Sequence, residues 1–276
     1  MAGIHINVRA STDGGSAVNF FGENVEVISD HEIQSFNLAD SPLKDAIEKY
    51  AGARPADAYL KGPTPWNDLF KTYGWPQVQR KLYPRSARVL GVNSQPVIVT
   101  TQEFTNNSSL SATYNAGVTH QVEESVNTTW SKGGELSIGS EISYSINLVA
   151  ASVGGSMNMS YSSSWGQSTS KNRAVTVGAS SGMEVVLAPG QSVVATLQAV
   201  RGTMQVEVDY RATLQGVVAC NYPEKHNDHH FWSYDINAVM DADGRRKEID
   251  STEVITIDYY SDAKVHLRDR DTNAPL

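Results

Sequence analysis

The chain has 276 residues, a formal net charge of −8 and a hydrophobic content of 40%. This length is sufficient for a substantial core, and the acidic balance excludes a general nucleic-acid binder, which needs a basic surface. A single cysteine, Cys220, excludes an internal disulfide. The sequence contains no recognisable signal peptide and no apolar run of about 18 residues, so we expect neither a standard export signal nor a transmembrane helix.

Residues 1–94 combine short alternating segments with helix signals, which predicts a small mixed α+β head domain. Two or three strands are expected before residue 37. One helix is expected to begin at Ser41-Pro42 and to end at Gly52, and a second to begin at Thr64-Pro65. The side chains expected to face inward are Leu43, Ala46, Ile47 and Tyr50 in the first helix, and Trp66, Leu69, Phe70 and Tyr73 in the second.

Residues 71–101 contain no acidic side chain and interleave cations with aromatic rings. Such a surface suits lipid head groups, where rings lie at the interface and cations meet phosphate, or a glycan stacked on Trp75. The alternative is that these rings form the core of the head domain. The candidate receptor or head-group contacts are Trp66, Tyr73, Trp75, Arg80 and Lys81.

Residues 95–218 are rich in Ser, Thr and Val, and predict strands longer than the usual five or six residues. Alternation is clearest from Met204 to Gln215. The predicted strands cover 95–105, 113–131, 173–187, 191–201 and 203–218. Residues 219–276, with a strand at 253–260, are expected to complete the sheets.

Within this region, residues 135–169 predict an amphipathic hairpin around a Gly154-Gly155 turn. Pairing of Leu148 with Met157 would also pair Ile146 with Met159, Tyr144 with Tyr161, Ile142 with Ser163 and Ser140 with Trp165. The apolar residues are Leu136, Ile138, Ile142, Tyr144, Ile146, Leu148, Met157, Met159, Tyr161 and Trp165. The polar face includes Glu141, Ser143, Ser145, Asn147, Asn158 and Ser160, and the tip includes Val149, Val153, Gly154 and Gly155.

The hairpin has the dimensions of a membrane-spanning element. Leu136 to Leu148 would extend about 43 Å, and a strand tilted by about 45° would rise about 30 Å, which is one bilayer core. No charged residue occurs from Ile142 to Ser170. The alternative is a soluble hairpin with one face on a core, but soluble surfaces usually carry more charge than this Ser- and Asn-rich face, which suits a water-filled lumen.

The order of these parts resembles the pore-forming module of aerolysin-like toxins, in the epsilon-toxin and mosquitocidal-toxin branch. A Val-rich strand leads to the Asn-Ser tract 105–109, a Thr/Ser strand 118–131, the hairpin, a return strand 162–177 and the segment Leu187-Ala188-Pro189-Gly190-Gln191. The resemblance covers a little under half of the chain. It implies a mainly β, elongated aerolysin-like fold with long twisted antiparallel strands beside the small α+β head.

The resemblance further implies a cytolytic, insecticidal or cytotoxic protein that is released as a soluble extracellular monomer. It would bind a cell-surface glycan, lipid or protein, form a homo-oligomeric ring and insert its hairpins as a β-barrel. In solution the hairpin should pack against the long sheet.

Two expectations concern single residues of the hairpin. Lysine at Ile142 or Ile146 should block permeabilisation without disturbing the soluble fold. Glu141 is either a cation-selecting lumen charge or an ordinary surface residue.

Two other functions remain open from the sequence. A non-lytic lectin-like or adhesive β protein would explain the Ser/Thr-rich strands as plain surface. A metal site would use His226, Asp228, His229 and His230, but adjacent His229 and His230 point opposite ways on a strand. The one Gly-x-Ser-x-Gly spacing, at 178–182, lies within predicted strand 173–187 and not at the strand-to-helix turn of a nucleophile elbow, so we expect no enzyme. No cofactor, bound metal or nucleic-acid partner is expected.

Overall fold

The computed structural model describes residues 3–11, 15–132, 141–149, 156–180 and 182–276, and most of them lie in strands, as predicted. The strands are β1 (Ile4–Ser11), β2 (Ala17–Phe21), β3 (Asn24–Val27), β4 (Asp57–Tyr59), β5 (Gln79–Thr105), β6 (Ala112–Asn115), β7 (Val118–Lys132), β8 (Glu141–Val149), β9 (Ser156–Ser164), β10 (Thr169–Ala179), β11 (Glu184–Leu187), β12 (Ser192–Gln215), β13 (Val217–His226), β14 (His229–Asp235) and β15 (Glu248–Asp269). The helices are α1 (Asp30–Ser35), α2 (Asp40–Ala51), α3 (Pro65–Tyr73) and α4 (Ile236–Ala242).

The long strands form an antiparallel sheet in the order β10-β7-β15-β12-β5-β3. The predicted strands 191–201 and 203–218 are one strand, β12, because Gly202 does not interrupt the pairing. A Cβ atom at Gly202 would lie 2.5 Å from the Tyr259 ring, so glycine is needed there to let the ring pack on the strand. Predicted strand 113–131 is divided into β6 and β7, and 173–187 into β10 and β11.

A second sheet lies against the long one, in the order β2-β1-β8-β9. Alternate residues of β1 and β8 point into the same core, and Ile4, Ile6, Ile142 and Ile146 are fully buried there. They share that core with Met204, Val206 and Val208 of β12. The expected packing of β8 against the long sheet is therefore present. The pairing of β8 with β1 was not predicted.

A small sheet, in the order β14-β13-β4, contacts α2 through β4 and α4 through β14. The predicted helix 41–51 is α2, which ends at Gly52 with φ 77°, a left-handed conformation that glycine adopts readily. Leu43, Ala46 and Ile47 are buried as predicted, whereas Tyr50 is exposed on the surface against Tyr234. Helix α1 was missed, although Ser29 and Glu32 form a capping box at its start.

The predicted division between residues 94 and 95 falls inside β5, which pairs continuously with β12 on both sides of Ser94. In addition, β1 belongs by sequence to the expected head but lies in the same sheet as β8. Among the described residues, no helix is both long and apolar enough to span a membrane.

Candidate functional site

Strands β8 and β9 pair over nine residues in the register that the sequence predicted. Leu148 is opposite Met157, Ile146 opposite Met159, Tyr144 opposite Tyr161 and Ile142 opposite Ser163. The predicted hairpin residues Leu136, Ile138, Ser140, Val153, Gly154 and Gly155 lie outside the described residues.

The inner face of this hairpin is buried against the protein body. Ile142, Tyr144 and Ile146 are at most 2% exposed, and the Tyr144 and Tyr161 rings stack at 4.7 Å between centroids. Met159 and Tyr161 are partly buried against the same core. Trp165 follows the end of β9 and is also fully buried, with its indole N–H donating to Ser251 Oγ at 3.0 Å.

The buried face rules out one sequence-based expectation. Lysine at Ile142 or Ile146 was expected to leave the soluble fold intact. Both side chains are 0% exposed, so a lysine would place an ammonium group in an apolar core, which is strongly unfavourable. A test of which face of the hairpin meets lipid therefore needs a partly exposed residue of the same face, such as Met159.

The outer face of the hairpin is polar and nearly uncharged. Glu141, Ser145, Asn158 and Ser160 are exposed, and Ser143 and Asn147 are partly exposed. The Glu141 carboxylate accepts a hydrogen bond from Ser162 Oγ at 3.2 Å. The predicted lumen residues thus share one face of the sheet.

Beneath the hairpin lies a buried carboxyl group, Glu253 of β15, which is 0% exposed. Tyr144 Oη of β8 donates to Glu253 Oε1 at 2.6 Å, and Tyr210 Oη of β12 donates to Oε2 at 2.8 Å. Burial raises the pKa of Glu253 to about 7, against the opposing effect of the two tyrosine hydrogen bonds. This carboxyl group therefore links the hairpin to the long sheet.

Sequence reasoning missed this link, although the strand pattern contains a signal for it. Glu253 lies on the same inward-facing side of β15 as the buried residues Ile255, Ile257 and Tyr259. A carboxylate at an inward position of an apolar strand has to find hydrogen-bond donors or lose its charge. That rule would have marked Glu253 as a buried functional group.

Arg80 is not part of a receptor-binding surface. It is 1% exposed, and its guanidinium binds Glu32 Oε1 at 2.8 Å, Glu26 Oε2 at 3.0 Å and Asn24 Oδ1 at 2.7 Å. Arg80 is buried because side chains alternate between the two faces of β5, and Arg80 lies on the same inward face as Leu82. Lys81 points outward, where its ammonium group pairs with Glu23.

The three aromatic candidates do come together, in a surface group that we call the aromatic cluster: Tyr59, Trp66, Tyr73, Trp75 and Phe231. Tyr73 and Trp75 stack at 4.6 Å, and Trp66 lies 5.3 Å from Phe231, between ring centroids. Trp66 and Tyr73 are 44% and 50% exposed. Tyr59 and Phe231, from β4 and β14, complete the cluster and were not predicted.

Trp66 and Tyr73 were expected to point inward together with Leu69 and Phe70, but only Leu69 and Phe70 are buried. The start of α3 explains the difference for Trp66. Trp66, Asn67 and Asp68 have positive φ angles of 58–61°, so the helical spacing assumed from the sequence does not hold there.

No protein-family model matches the chain. U-megalopygitoxin(8)-Mo12 of Megalopyge opercularis is 40% identical over 270 residues, which cover 97% of this chain and 93% of that toxin. U-megalopygitoxin(8)-Mo15 of the same species is 36% identical over 262 residues, or 95% of this chain and 83% of that toxin. The chain belongs to the U-megalopygitoxin(8) family.

The fold of the chain is similar to that of a solved bacterial toxin. Parasporin-2 of Bacillus thuringiensis, a toxin that recognizes cancer cells, matches with a TM-score of 0.67 at 16% sequence identity. The match covers 90% of this chain and 98% of parasporin-2. At this identity the similarity defines the fold alone, and it confirms the predicted mainly β, aerolysin-like fold.

The histidines at the β13–β14 turn are engaged with neighbouring groups. His226 stacks on Tyr222 at 4.9 Å between centroids, and the His230 ring nitrogen Nδ1 lies 2.8 Å from the Tyr222 carbonyl oxygen. His229 meets the edge of Trp232 at 5.7 Å. In the part of the chain that the structure describes, no three His, Cys, Asp or Glu side chains are grouped to hold a metal ion.

Proposed function

We propose that this protein is a pore-forming toxin, which acts from outside the cell and without catalysis. It binds a target membrane, assembles with identical copies and inserts its β8–β9 hairpins into one shared β-barrel. The observation that carries the proposal is the two-faced hairpin, with Ile142, Tyr144 and Ile146 stored against the body and a nearly uncharged polar face outside.

The dimensions of the hairpin support the proposal. Strands β8 and β9 have nine residues each in the structure, and a tilted transmembrane β-strand needs about 9–11 residues. Their alternation of apolar and polar residues matches the lipid-facing and lumen-facing sides of a barrel strand. The name of the relatives, which designates them as toxins, agrees with this function.

Insertion requires assembly for a physical reason. A single hairpin in lipid would leave the N–H and C=O groups of its two outer edges unpaired, at several kcal/mol for each group. A closed ring of hairpins pairs all of them. In that ring the lumen would be lined by Glu141, Ser143, Ser145, Asn147, Asn158 and Ser160, and the lipid face would carry Ile142, Tyr144, Ile146, Leu148, Met157, Met159 and Tyr161.

The aromatic cluster is the surface that we assign to the first contact with the target cell. Exposed Trp66 and Tyr73 present ring faces and edges beside Trp75, an arrangement suited to sugar rings or to the interfacial region of a bilayer. Arg80 is excluded from this contact by its burial. The receptor would be a glycan, a lipid or a protein.

The experiment is dye release from liposomes and from a panel of cells, followed by detection of SDS-resistant oligomers on the same membranes. Release together with oligomers supports the pore. Saturable binding without release or oligomers at any protein concentration contradicts it and favours a lectin-like or adhesive function.

A further inference from the structure

The two outer edges of the β8–β9 hairpin differ in the folded protein. On one side, β8 pairs with β1 over eight residues in parallel, from Ile4 opposite Ile142 to Ser11 opposite Val149. On the other side, β9 is the last strand of its sheet. One edge of the hairpin is thus covered by a strand of the same chain.

A ring of hairpins needs the covered edge. Each hairpin has two edges, so a closed barrel pairs the β8 edge of one copy with the β9 edge of the next. Strand β1 occupies the same N–H and C=O groups of β8 that this neighbour would require. The two partners are therefore mutually exclusive.

The contacts of β1 indicate that β1 stays on the body when β8 leaves. Ile4, Ile6 and Val8 are at most 2% exposed in the core that includes Met204 and Val206 of β12. On its other edge β1 pairs with β2 over five residues. Ser16 Oγ donates to the Ser11 carbonyl at 2.9 Å and accepts from the Ser11 N–H at 3.0 Å, which fastens the end of β1 to the segment before β2.

The relative direction of the strands favours replacement of β1 by β9 of another copy at the β8 edge. The β1–β8 pair is parallel, whereas successive strands in a ring of hairpins are antiparallel, and parallel pairs are slightly less stable per residue. An exposed β8 edge in solution would also invite pairing with other chains. A weaker internal partner protects this edge and can be replaced.

We propose that β1 is a displaceable cover of the β8 edge, standing in for β9 of a second copy and holding the protein as a monomer until assembly. This inference rests on the proposed pore function. It assigns the β8 edge as the interaction surface for another copy of the chain, and separation of β8 from β1 as a required step before oligomers form.

The test is a reversible covalent lock between β1 and β8. Asn7 is opposite Ser145 in the parallel pair, and both side chains line a groove on the outer face. The variant Asn7→Cys/Ser145→Cys is oxidised, and the cross-link is confirmed by mass spectrometry. The native thiol, Cys220, is buried. The matched control is Asn7→Cys/Asn19→Cys, which ties the same β1 residue to its opposite residue in β2.

We expect the oxidised β1–β8 lock to bind membranes like the unmodified protein, to form no SDS-resistant oligomers and to lose dye release at least tenfold. Reductant should restore release, which shows that the locked protein was folded. The oxidised β1–β2 lock should release dye like the unmodified protein.

Unimpaired release by the oxidised β1–β8 lock would overturn the inference while leaving the pore intact. Equal loss in both locks would also overturn it, because β1 would then matter for a reason other than the β8 edge. Absence of release by the unmodified protein is a separate result, and it would refute the pore function itself.

Discussion

At the scale of single residues, we expect pH to act on the packed hairpin through Glu253. It lies beneath β8, with Tyr144, Tyr161 and Tyr210 as the titratable groups that affect it or are affected by it. Its pKa is raised from 4.5 to about 7, so the folded protein holds a proton there that the unfolded chain releases. The corresponding stability is present in full below pH 4.5 and is lost as pH rises through 7.

We therefore predict that the free energy of unfolding falls by about 2 kcal/mol between pH 5 and pH 8 on account of this one group. Glu253→Gln, which stays neutral, should lack this part of the pH dependence. Urea unfolding at both pH values measures it, with Glu184→Gln, an exposed carboxyl in β11, as the matched control. Equal pH dependence in Glu253→Gln and the unmodified protein would contradict the assignment.

Glu141 is the residue that should set the charge preference of the pore. A ring of these exposed carboxylates would attract cations, since it would be the one ionised group on the described polar face of β8 and β9. In planar bilayers, Glu141→Gln should shift the reversal potential toward that of a non-selective pore, whereas Glu184→Gln should not. An unchanged reversal potential would place Glu141 outside the conducting path.

At the scale of elements, the sequence predicted the hairpin register because the alternation of apolar and polar residues specifies which residues face the core. It missed the β1–β8 pair, since a parallel contact across more than a hundred residues leaves no local pattern. It misjudged Arg80 for a related reason. Burial of a guanidinium depends on Glu26 and Glu32, which are brought near by another strand and a helix.

Two adjacent positions of β9 can test which of its faces meets lipid and which faces the lumen. Met159 is on the partly buried apolar face and Ser160 is on the exposed face. Lysine on the lipid face of a barrel costs about 2–4 kcal/mol at the midplane, repeated in every copy. Met159→Lys should therefore reduce dye release at least tenfold, and Ser160→Lys should retain it.

Circular dichroism and gel filtration before the release assay establish that both lysine variants are folded monomers. Full activity of folded Met159→Lys would mean that this face does not meet lipid.

At the scale of the whole molecule, the hairpin and the aromatic cluster lie on different parts of the fold. The hairpin is held on the long sheet, whereas the aromatic cluster lies on α3 and the small sheet. Sequence identified Trp66, Tyr73 and Trp75, but their association with Tyr59 and Phe231 depends on how β4 and β14 meet α3. Binding and insertion should therefore be separable by mutation.

The double variant Trp66→Ala/Tyr73→Ala should weaken binding to sensitive cells at least tenfold, because it removes the two most exposed rings of the cluster. Stability should change little, since Leu69 and Phe70 beneath them remain. Phe21→Ala, which removes another exposed ring that stacks on His5, is the control and should bind normally. Normal cell binding by the double variant would assign receptor contact to another surface.

The most direct test of hairpin insertion is a polarity-sensitive dye on single cysteines at positions 143, 145, 147 and 158–161, which are exposed or partly exposed in the folded protein, with Cys220 replaced by alanine. On membranes, the emission from positions 159 and 161 should shift to the blue and be quenched by a lipid-soluble quencher. The emission from positions 143, 145, 147, 158 and 160 should remain that of a water-exposed dye. The opposite result would be emission spectra that do not differ between the protein in solution and the protein on membranes that release their contents. That result would contradict insertion of this hairpin.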